Sequence, residues 1–521
     1  MYLALQNRVQ QAAREFVLRQ YGLEANVVVN QPPRAAMGDL ALPLAMDLAR
    51  KLRRPPRQIA EEVAAALRSV EGVRKAEVAG AGYVNLFLGR ASFAAQVANQ
   101  REAVASPAAA ANEKLIVEHT NINPNQAAHI GHLRNAALGD TFVRLLRARG
   151  RTVEVQNYID NTGVQVADVV VGFLHLEAKS EEEIARLAQD PAVRFDYYCW
   201  DLYARVTRFL DEDKTRLELR NRTLQEIEEG HTEAGRVAEI VSTAIVRLHL
   251  ATMARLNVRY DLLPRESEIL RLRFWDRAFE LLKERSAIYL ETEGKNKGCW
   301  VMPQAEGNRE QKTGNREQGI GNSEEEETGA EDTKVIVRSN GTVTYVGKDI
   351  AYQLWKFGLL GKDFYYRPFD RYPDGQTVWV SSSEPGDTAA PAFGRGRKVY
   401  NVIDVRQSYL QNIVAAGLRA LGYEEQADHS IHFSYEMVAL SPRCCEEMGI
   451  ELSPEERKRA FVEVSGRKGL GIKADDLVDR LVEEAYKEVI ARHADKPDVV
   501  RRRIAEQIAI GALRYFLLRY T

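Results

Sequence analysis

The sequence predicts an α/β protein centred on a doubly wound parallel sheet, with a small α+β domain before it and a helical insertion within it. Beyond Lys114, short apolar and β-branched runs alternate with helically spaced stretches, the pattern of successive βαβ units. Before that point, two amphipathic helical patterns precede a strand pattern broken by glycines, and a low-information Ala-rich stretch, Ala103 to Ala111, separates the two regions. Within the second region, Glu181 to Tyr260 is rich in charged residues, keeps helical periodicity and carries no strand signal. The expected domains are residues 1–105, residues 112–490 with the insertion at about 180–260, and residues 491–521.

Taken in order, Leu5, Val9, Ala12 and Phe16 form one apolar helical stripe; Ile59, Val63, Leu67 and Val70 form another after Pro55 and Pro56. Val78 to Leu88, VAGAGYVNLFL, reads as strand. Lys114 to Glu118 suits a buried parallel strand; Leu138, Phe142 and Leu145 carry the next helix, Gly150 stops it, and Thr152 to Ile159 resumes β-branched alternation. Further strands are expected at Thr342 to Val346, Gln376 to Ser382 and Lys398 to Val405, with a helix from Gln407 to Leu421. The whole is most economically a Rossmann-like sheet. From Gln304 to Thr333 the composition turns to Gly, Asn, Glu and Gln, GNREQ occurs twice, and Glu324 to Glu327 is an acidic run, so a disordered surface loop is expected, most simply a tolerated expansion.

At 521 residues the chain exceeds one ordinary core, and its 72 Lys and Arg nearly balance its 74 Asp and Glu. A net charge of −2 gives no whole-molecule field for nucleic acid, so any RNA contact must be local. Candidate clusters are Lys51, Arg53, Arg54 and Arg57; Arg144, Arg147, Arg149 and Arg151; and Arg501, Arg502 and Arg503, although such clusters taken singly are more often solvated faces. With no signal peptide and no long uncharged apolar run, a cytoplasmic protein without a membrane partner is expected. Cys199, Cys299, Cys444 and Cys445 show neither zinc-site spacing nor a disulfide framework, so they are expected to be reduced and no protein-bound metal is expected.

The chemistry-bearing segment follows the first strand of the second region, TNINPNQAAHIGHLRNAALGD. Asn123, Pro124 and Asn125 fall in the loop, and His129 and His132 open the helix. Strand ends and helix starts of such sheets face a crevice, where free backbone N–H groups favour phosphate. Histidines three apart share a helix face and can both donate to one phosphate, while Gly131 leaves room for a base or ribose close to the backbone. The same spacing would suit a metal, but no third ligand is nearby in sequence.

His129-Ile130-Gly131-His132 in this strand, loop and helix setting resembles the HIGH signature of class I aminoacyl-tRNA synthetases. The flanking VEHTNINPNQAAHIGHLRN and the block VQNYIDNTGVQVAD at Val155 to Asp168 are similar to arginyl-tRNA synthetases in particular. Arginine is a planar cation with five donors, so its pocket needs carboxylates and neutral oxygen acceptors. The resemblance implies arginine binding by Glu118, Asn123 and His129, by Tyr345 and Asp349 in SNGTVTYVGKDIAYQLWK, and by Gln407 in NVIDVRQSYLQ; apart from the resemblance, Asp349 would read as an ordinary cap opening a helix. It also implies ATP binding by His129, Gly131 and His132, and by a relative of the family's second signature, FVEVSGRKGLGIKADDL, through Ser465, Arg467 and Lys468. Glu463 stands where that signature begins with lysine, and Gln126 stands where many relatives carry a compensating lysine. The cation on the leaving pyrophosphate must then be Arg467, Lys468 or Lys473; Lys468 is favoured and joins His129 and His132 as the expected catalytic set.

The block PPRAAMGDLALPLAMDLARKL and the ending VAGAGYVNLFL resemble the family's additional N-terminal domain, which implies contact with tRNA, with Lys51, Arg53 and Arg54 as phosphate contacts. The last stretch, RRRIAEQIAIGALRYFLLRYT, resembles the join to a helical anticodon-binding domain, most of which is expected to be missing. The implied activity is ATP-dependent attachment of arginine to tRNA(Arg) through an arginyl-adenylate, by a monomer using ATP and Mg2+, with activation dependent on bound tRNA. The alternative is a catalytically idle paralogue that binds RNA or a protein partner.

Overall fold

The computed structural model describes residues 2–32, 34–99, 113–303, 333–339, 343–447, 449, 452–463 and 471–519. Most of the expected loop at 304–333 and the segment 464–470 lie outside the described residues. The chain forms two compact units, Met1–Ser106 and Pro107–Thr521.

In the first unit, helices Tyr2–Tyr21, Leu44–Leu52 and Pro56–Leu67 pack with a three-stranded antiparallel sheet. The two expected apolar stripes meet in one core that includes Leu5, Val9, Ile59, Val63 and Leu67. The single strand expected at Val78 to Leu88 is instead a hairpin of Val73–Ala79 and Tyr83–Leu88, because Gly80 and Gly82 turn at φ +56 and +150.

The second unit is built on a seven-stranded sheet. In chain order its strands are β1 (Lys114–Glu118), β2 (Thr152–Gln156), β3 (Leu262–Leu263), β4 (Tyr365–Arg371), β5 (Thr377–Ser382), β6 (Lys398–Asp404) and β7 (Ser430–Tyr435). They lie in the order β4-β5-β3-β2-β1-β6-β7 and are parallel except for the edge strand β4, which pairs antiparallel with β5. Neighbouring residues face different layers, Leu262 entering one core with Trp379 and Leu263 another with Val378 and Val380. Helices cover both faces, which is the doubly wound arrangement expected.

Six helices matter to the site: α1 (Ile130–Ala148), α2 (Phe195–Glu212), α3 (Glu233–Arg255), α4 (Tyr345–Lys356), α5 (Ala474–Arg492) and α6 (Asp498–Arg519). Helices α2 and α3 belong to an all-helical block between β2 and β3, with a core running from Val166 to Ile245. Helix α3 is long and apolar enough to cross a membrane by length and composition, but many of its apolar residues, among them Val237, Val241, Ile245, Leu250 and Met253, are buried within the chain. Helices α5 and α6 lie against α1, with Val478, Leu513 and Leu517 in one core with Leu133 and Ala136, and with Arg514 paired to Asp140 at 2.5 Å.

The strand expected at Thr342 to Val346 is not formed among the described residues. Val343 makes one antiparallel bridge with Val337, and α4 starts at Tyr345 with Thr344 as its N-cap residue. Two β-branched residues around Val343 gave a strand-like alternation that the tertiary structure uses only for the approach to the helix. Asp349 consequently lies more than a turn inside α4 and does not open it.

Candidate active site

The parallel strands β1 and β2 end together beside Asn401 of β6, which runs on to Asp404, and α1 begins just beyond β1, so the crevice at their C-terminal ends is the natural ligand position. The backbone there is strained: Thr120 has φ 79 and Asn121 φ 45. For β-branched Thr120 this conformation is costly. It is fixed by the Thr120 N–H donating to Asn135 Oδ1 at 2.6 Å and by Oγ1 contacts with His119 and Tyr260 of 2.9 and 2.7 Å. The turn aims Asn121 back at the strand end, where its Nδ2 donates to Glu118 Oε1 at 3.0 Å.

His129 is the N-cap residue of α1. The Gly131 N–H donates to His129 Nδ1 at 3.1 Å, and the His129 N–H donates to His132 Nδ1 at 3.2 Å. The two rings stack, with centroids 3.7 Å apart. Because both Nδ1 atoms accept, both rings carry their proton on Nε2, and neither Nε2 has a hydrogen-bond partner among the described residues. Burial, followed by the proximity of His249, lowers His129 to about 4; burial, then His129 and His249, holds His132 well below the ordinary histidine range. The pair is thus neutral at pH 7 and offers two N–H donors rather than two cations. Gly131 owes its identity to this cap: a Cβ there would lie 2.9 Å from His129 Cε1.

Residues 128–130 run against the start of α5. Ile130 N–H donates to the Ile472 carbonyl at 3.2 Å, Ala474 N–H to the Ala128 carbonyl at 2.8 Å, and His129 and Lys473 form a β-bridge. The chain just after the second signature segment is therefore joined to the HIGH turn. Ser465, Arg467 and Lys468 lie outside the described residues. The third cation considered, Lys473, has its ammonium over the rings of Tyr197 and Trp200, 4.7 and 5.4 Å from their centroids.

The expected arginine ligands fall into two groups. Glu118 and Asp349 share one acidic cluster with Glu266, Lys348 and Lys356. Glu118 is buried, with Oε1 held by Asn121 and Oε2 2.7 Å from Lys356 Nζ, so it meets a ligand with an internal cation already beside it. Asp349 has no hydrogen bond or ion pair to any described residue; burial first, then Glu266 and Glu118, push it up to about 7 against the opposing pull of Lys356 and Lys348. Asn123 and Gln407 make no hydrogen bond to this cluster. Asn123 is half-buried in the loop before α1 with its amide unpaired among the described residues, and Gln407 is exposed just past the end of β6. Tyr345 is the first residue of α4, and its side chain lies outside the description.

Sequence reasoning missed Glu266, which follows β3 at the same end of the sheet. Its carboxylate takes hydrogen bonds from Tyr158 OH at 3.1 Å and Lys348 Nζ at 2.8 Å, and it lies beside Asp160, which burial and Glu266 itself push well above the carboxylate range. The available signal was its place, an acidic pair in PRESEIL directly after a buried strand. Of the basic clusters, Arg144 and Arg147 are engaged by Asp140 and Asp261, and Arg501 and Arg502 by Asp498. Among the described residues no group of three His, Cys, Asp or Glu side chains could hold a metal ion.

A parallel sheet with a capped HIGH helix at its crevice defines a class I aminoacyl-tRNA synthetase catalytic domain, and the comparisons agree. Residues 3–88 match the family described as arginyl tRNA synthetase N terminal domain, and residues 94–294 match tRNA synthetases class I (R), catalytic domain. The arginine–tRNA ligase of Thermococcus sibiricus is 33% identical over 96% of this chain and 73% of its own length; that of Deinococcus radiodurans is 32% identical over 98% and 74%. The solved Thermus thermophilus arginyl-tRNA synthetase superposes with a TM-score of 0.69 at 29% identity, covering 98% of this chain and 75% of that one. This chain belongs to the arginyl-tRNA synthetase family, class I enzymes that use ATP to attach arginine to tRNA for protein synthesis.

Proposed function

We propose that the described crevice is where the family's reaction takes place, with the residues in the following roles. Arginine's guanidinium lies against Asp349 and Tyr345 with Glu266 close by; its ammonium end meets Glu118 and Asn123, with His129 and Gln407 completing the contacts. The observation that carries this reading is Asp349 itself, a half-buried carboxyl without a partner among the described residues in a cluster that is short of positive charge. Such a group favours a cationic ligand, because only a cation relieves the cost of its ionisation.

ATP lies over the HIGH turn. His129 and His132 direct their Nε2–H groups at the phosphates, and Gly131 lets the backbone come close. Lys468 supplies the cation for the leaving pyrophosphate, with Arg467 and Ser465 beside it; the engagement of Lys473 with Tyr197 and Trp200 supports that choice over Lys473. Magnesium would arrive on the ATP phosphates as part of the substrate, held by oxygens of the nucleotide rather than by a protein cage. Arginine's carboxylate attacks the α-phosphorus, the bond to pyrophosphate breaks, and the terminal adenosine hydroxyl of tRNA(Arg) takes the arginyl group with loss of AMP. No side-chain nucleophile is needed, and the protein contributes position and matched charge. The N-terminal unit touches tRNA through Lys51 and Arg53, both exposed. A monomer working in the cytoplasm completes the reading, supported by the burial of Val237, Val241, Ile245, Leu250 and Met253 of α3 in the chain's own core.

The test is Asp349→Asn in tRNA charging. Losing a buried charge partner costs roughly 2–5 kcal/mol, so the arginine KM should rise by about 30-fold or more with little change in the ATP KM. An unchanged arginine KM would remove Asp349 from the pocket.

A further inference from the structure

The HIGH turn touches the stretch Ile472–Ala474 that follows the second signature segment, and both the HIGH turn's approach and the start of α5 are gripped by the same helical block. On the upstream side, His249 of α3 donates from Nε2 to the Gln126 carbonyl at 2.7 Å, and the Ala127 N–H donates to the carbonyl of Asp196 in α2 at 3.1 Å. These residues immediately precede the HIGH turn and belong to no helix or strand, so no regular ladder fixes them.

On the downstream side, Asp475 in the first turn of α5 is 8% exposed. It accepts from Arg194 at 2.8 Å, Thr252 at 3.0 Å and Arg255 at 2.6 Å. Arg194 precedes α2, and Thr252 and Arg255 lie on α3. Next to it, Tyr197 OH donates to Asp476 at 2.7 Å, and Lys473 rests on Tyr197 and Trp200. Arg194, Thr252 and Arg255 thus tie the start of α5 to the same helical block that holds residues 126 and 127 through His249 and Asp196, so the loop and the helix start on either side of the HIGH turn take their positions from α2, α3 and the residue before α2.

We infer that the helical insertion sets the spacing of the ATP-holding segments, with His249 and Asp475 as positioning residues for the chemical step. This rests on the reading of His129 and His132 as phosphate donors. Neither positioning residue meets the substrate. His249 acts through the Gln126 carbonyl, and Asp475 through the Ile472–Ala474 stretch paired to residues 128–130. Misplacing a phosphate donor by about 1 Å can cost on the order of a hundredfold in rate, so the effect belongs in kcat more than in arginine binding.

The test compares His249→Leu with His249→Gln in arginine-dependent ATP–pyrophosphate exchange with tRNA(Arg) present, thermal melts reporting the fold. Expected for His249→Leu is a kcat lowered about tenfold or more with the arginine KM within about threefold of the parent. His249→Gln, which keeps an N–H able to reach the carbonyl, should recover most of that loss. Parent-like kcat in His249→Leu, or His249→Gln no better than His249→Leu, overturns the inference. Where His249→Leu does not fold, Asp475→Asn decides. It keeps shape and one acceptor oxygen, so a folded variant with parent kinetics contradicts the proposal and one with lowered kcat at unchanged arginine KM supports it. No exchange from the parent chain would instead overturn the reading of the HIGH turn, and this inference with it.

Discussion

In the proposed pocket, Asp349 is a side chain tuned for its ligand at the expense of the fold. Its ordinary value of 3.8 rises to about 7, so ionisation is opposed in the folded protein between those values and folding stability falls as pH climbs from the lower to the upper one. Above pH 7, Asp349→Asn is therefore expected to stabilise the fold by roughly 1–3 kcal/mol after allowing for partial solvent access, read as a raised thermal midpoint. Function runs the other way: the guanidinium wants the ionised carboxylate. Arginine affinity should improve as pH rises through about 7, and Asp349→Asn should flatten that dependence. Measuring the arginine KM from pH 6 to 8 tests this; a flat profile in the parent would contradict it. His129, held low by burial and by His249, and His132, held low by burial and by His129 and His249, should add no titration over that range.

At the scale of elements, the parallel strands were legible because burial on both faces makes them short apolar runs, as in β1, and α1 was legible because its apolar spacing ends at Gly150. The start of α4 was not, since Val343 and the residues around it alternate like a strand and only Thr344 signals the cap. Partnerships distant in sequence left no trace either. Lys356 with Glu118 and His249 with Gln126 are separated by most of a domain, and no motif spacing links them. What sequence supplied was the chemistry near the HIGH turn and, through resemblance, Asp349; what it lacked was Glu266 and the insertion's grip on the site. One packing detail on α1 makes a sharp prediction. Gly139 lies against His119, and an added Cβ would stand 2.3 Å from its Cγ. Gly139→Ala should destabilise the catalytic unit by roughly 1–3 kcal/mol, measured by denaturant unfolding, although alanine favours helix.

At the scale of the molecule, the N-terminal unit has a core of its own and the catalytic unit carries the crevice, so their contributions should separate. Lys51→Glu with Arg53→Glu is expected to raise the KM for tRNA severalfold, more at low salt than at high, while leaving the arginine KM unchanged; equal effects on both would place those residues elsewhere in function. The family assignment rests on agreement over nearly the whole chain, and the structure adds an acidic cluster, proposed as the cation pocket, and a capped, neutral histidine pair. The claim joining these is that the pocket activates arginine because arginine is charged. Arginine and citrulline, its neutral isostere, should therefore be compared in ATP–pyrophosphate exchange with tRNA(Arg) present. Exchange with arginine and essentially none with citrulline is the predicted result; no exchange with arginine from folded protein, or equal exchange with both, would contradict the account.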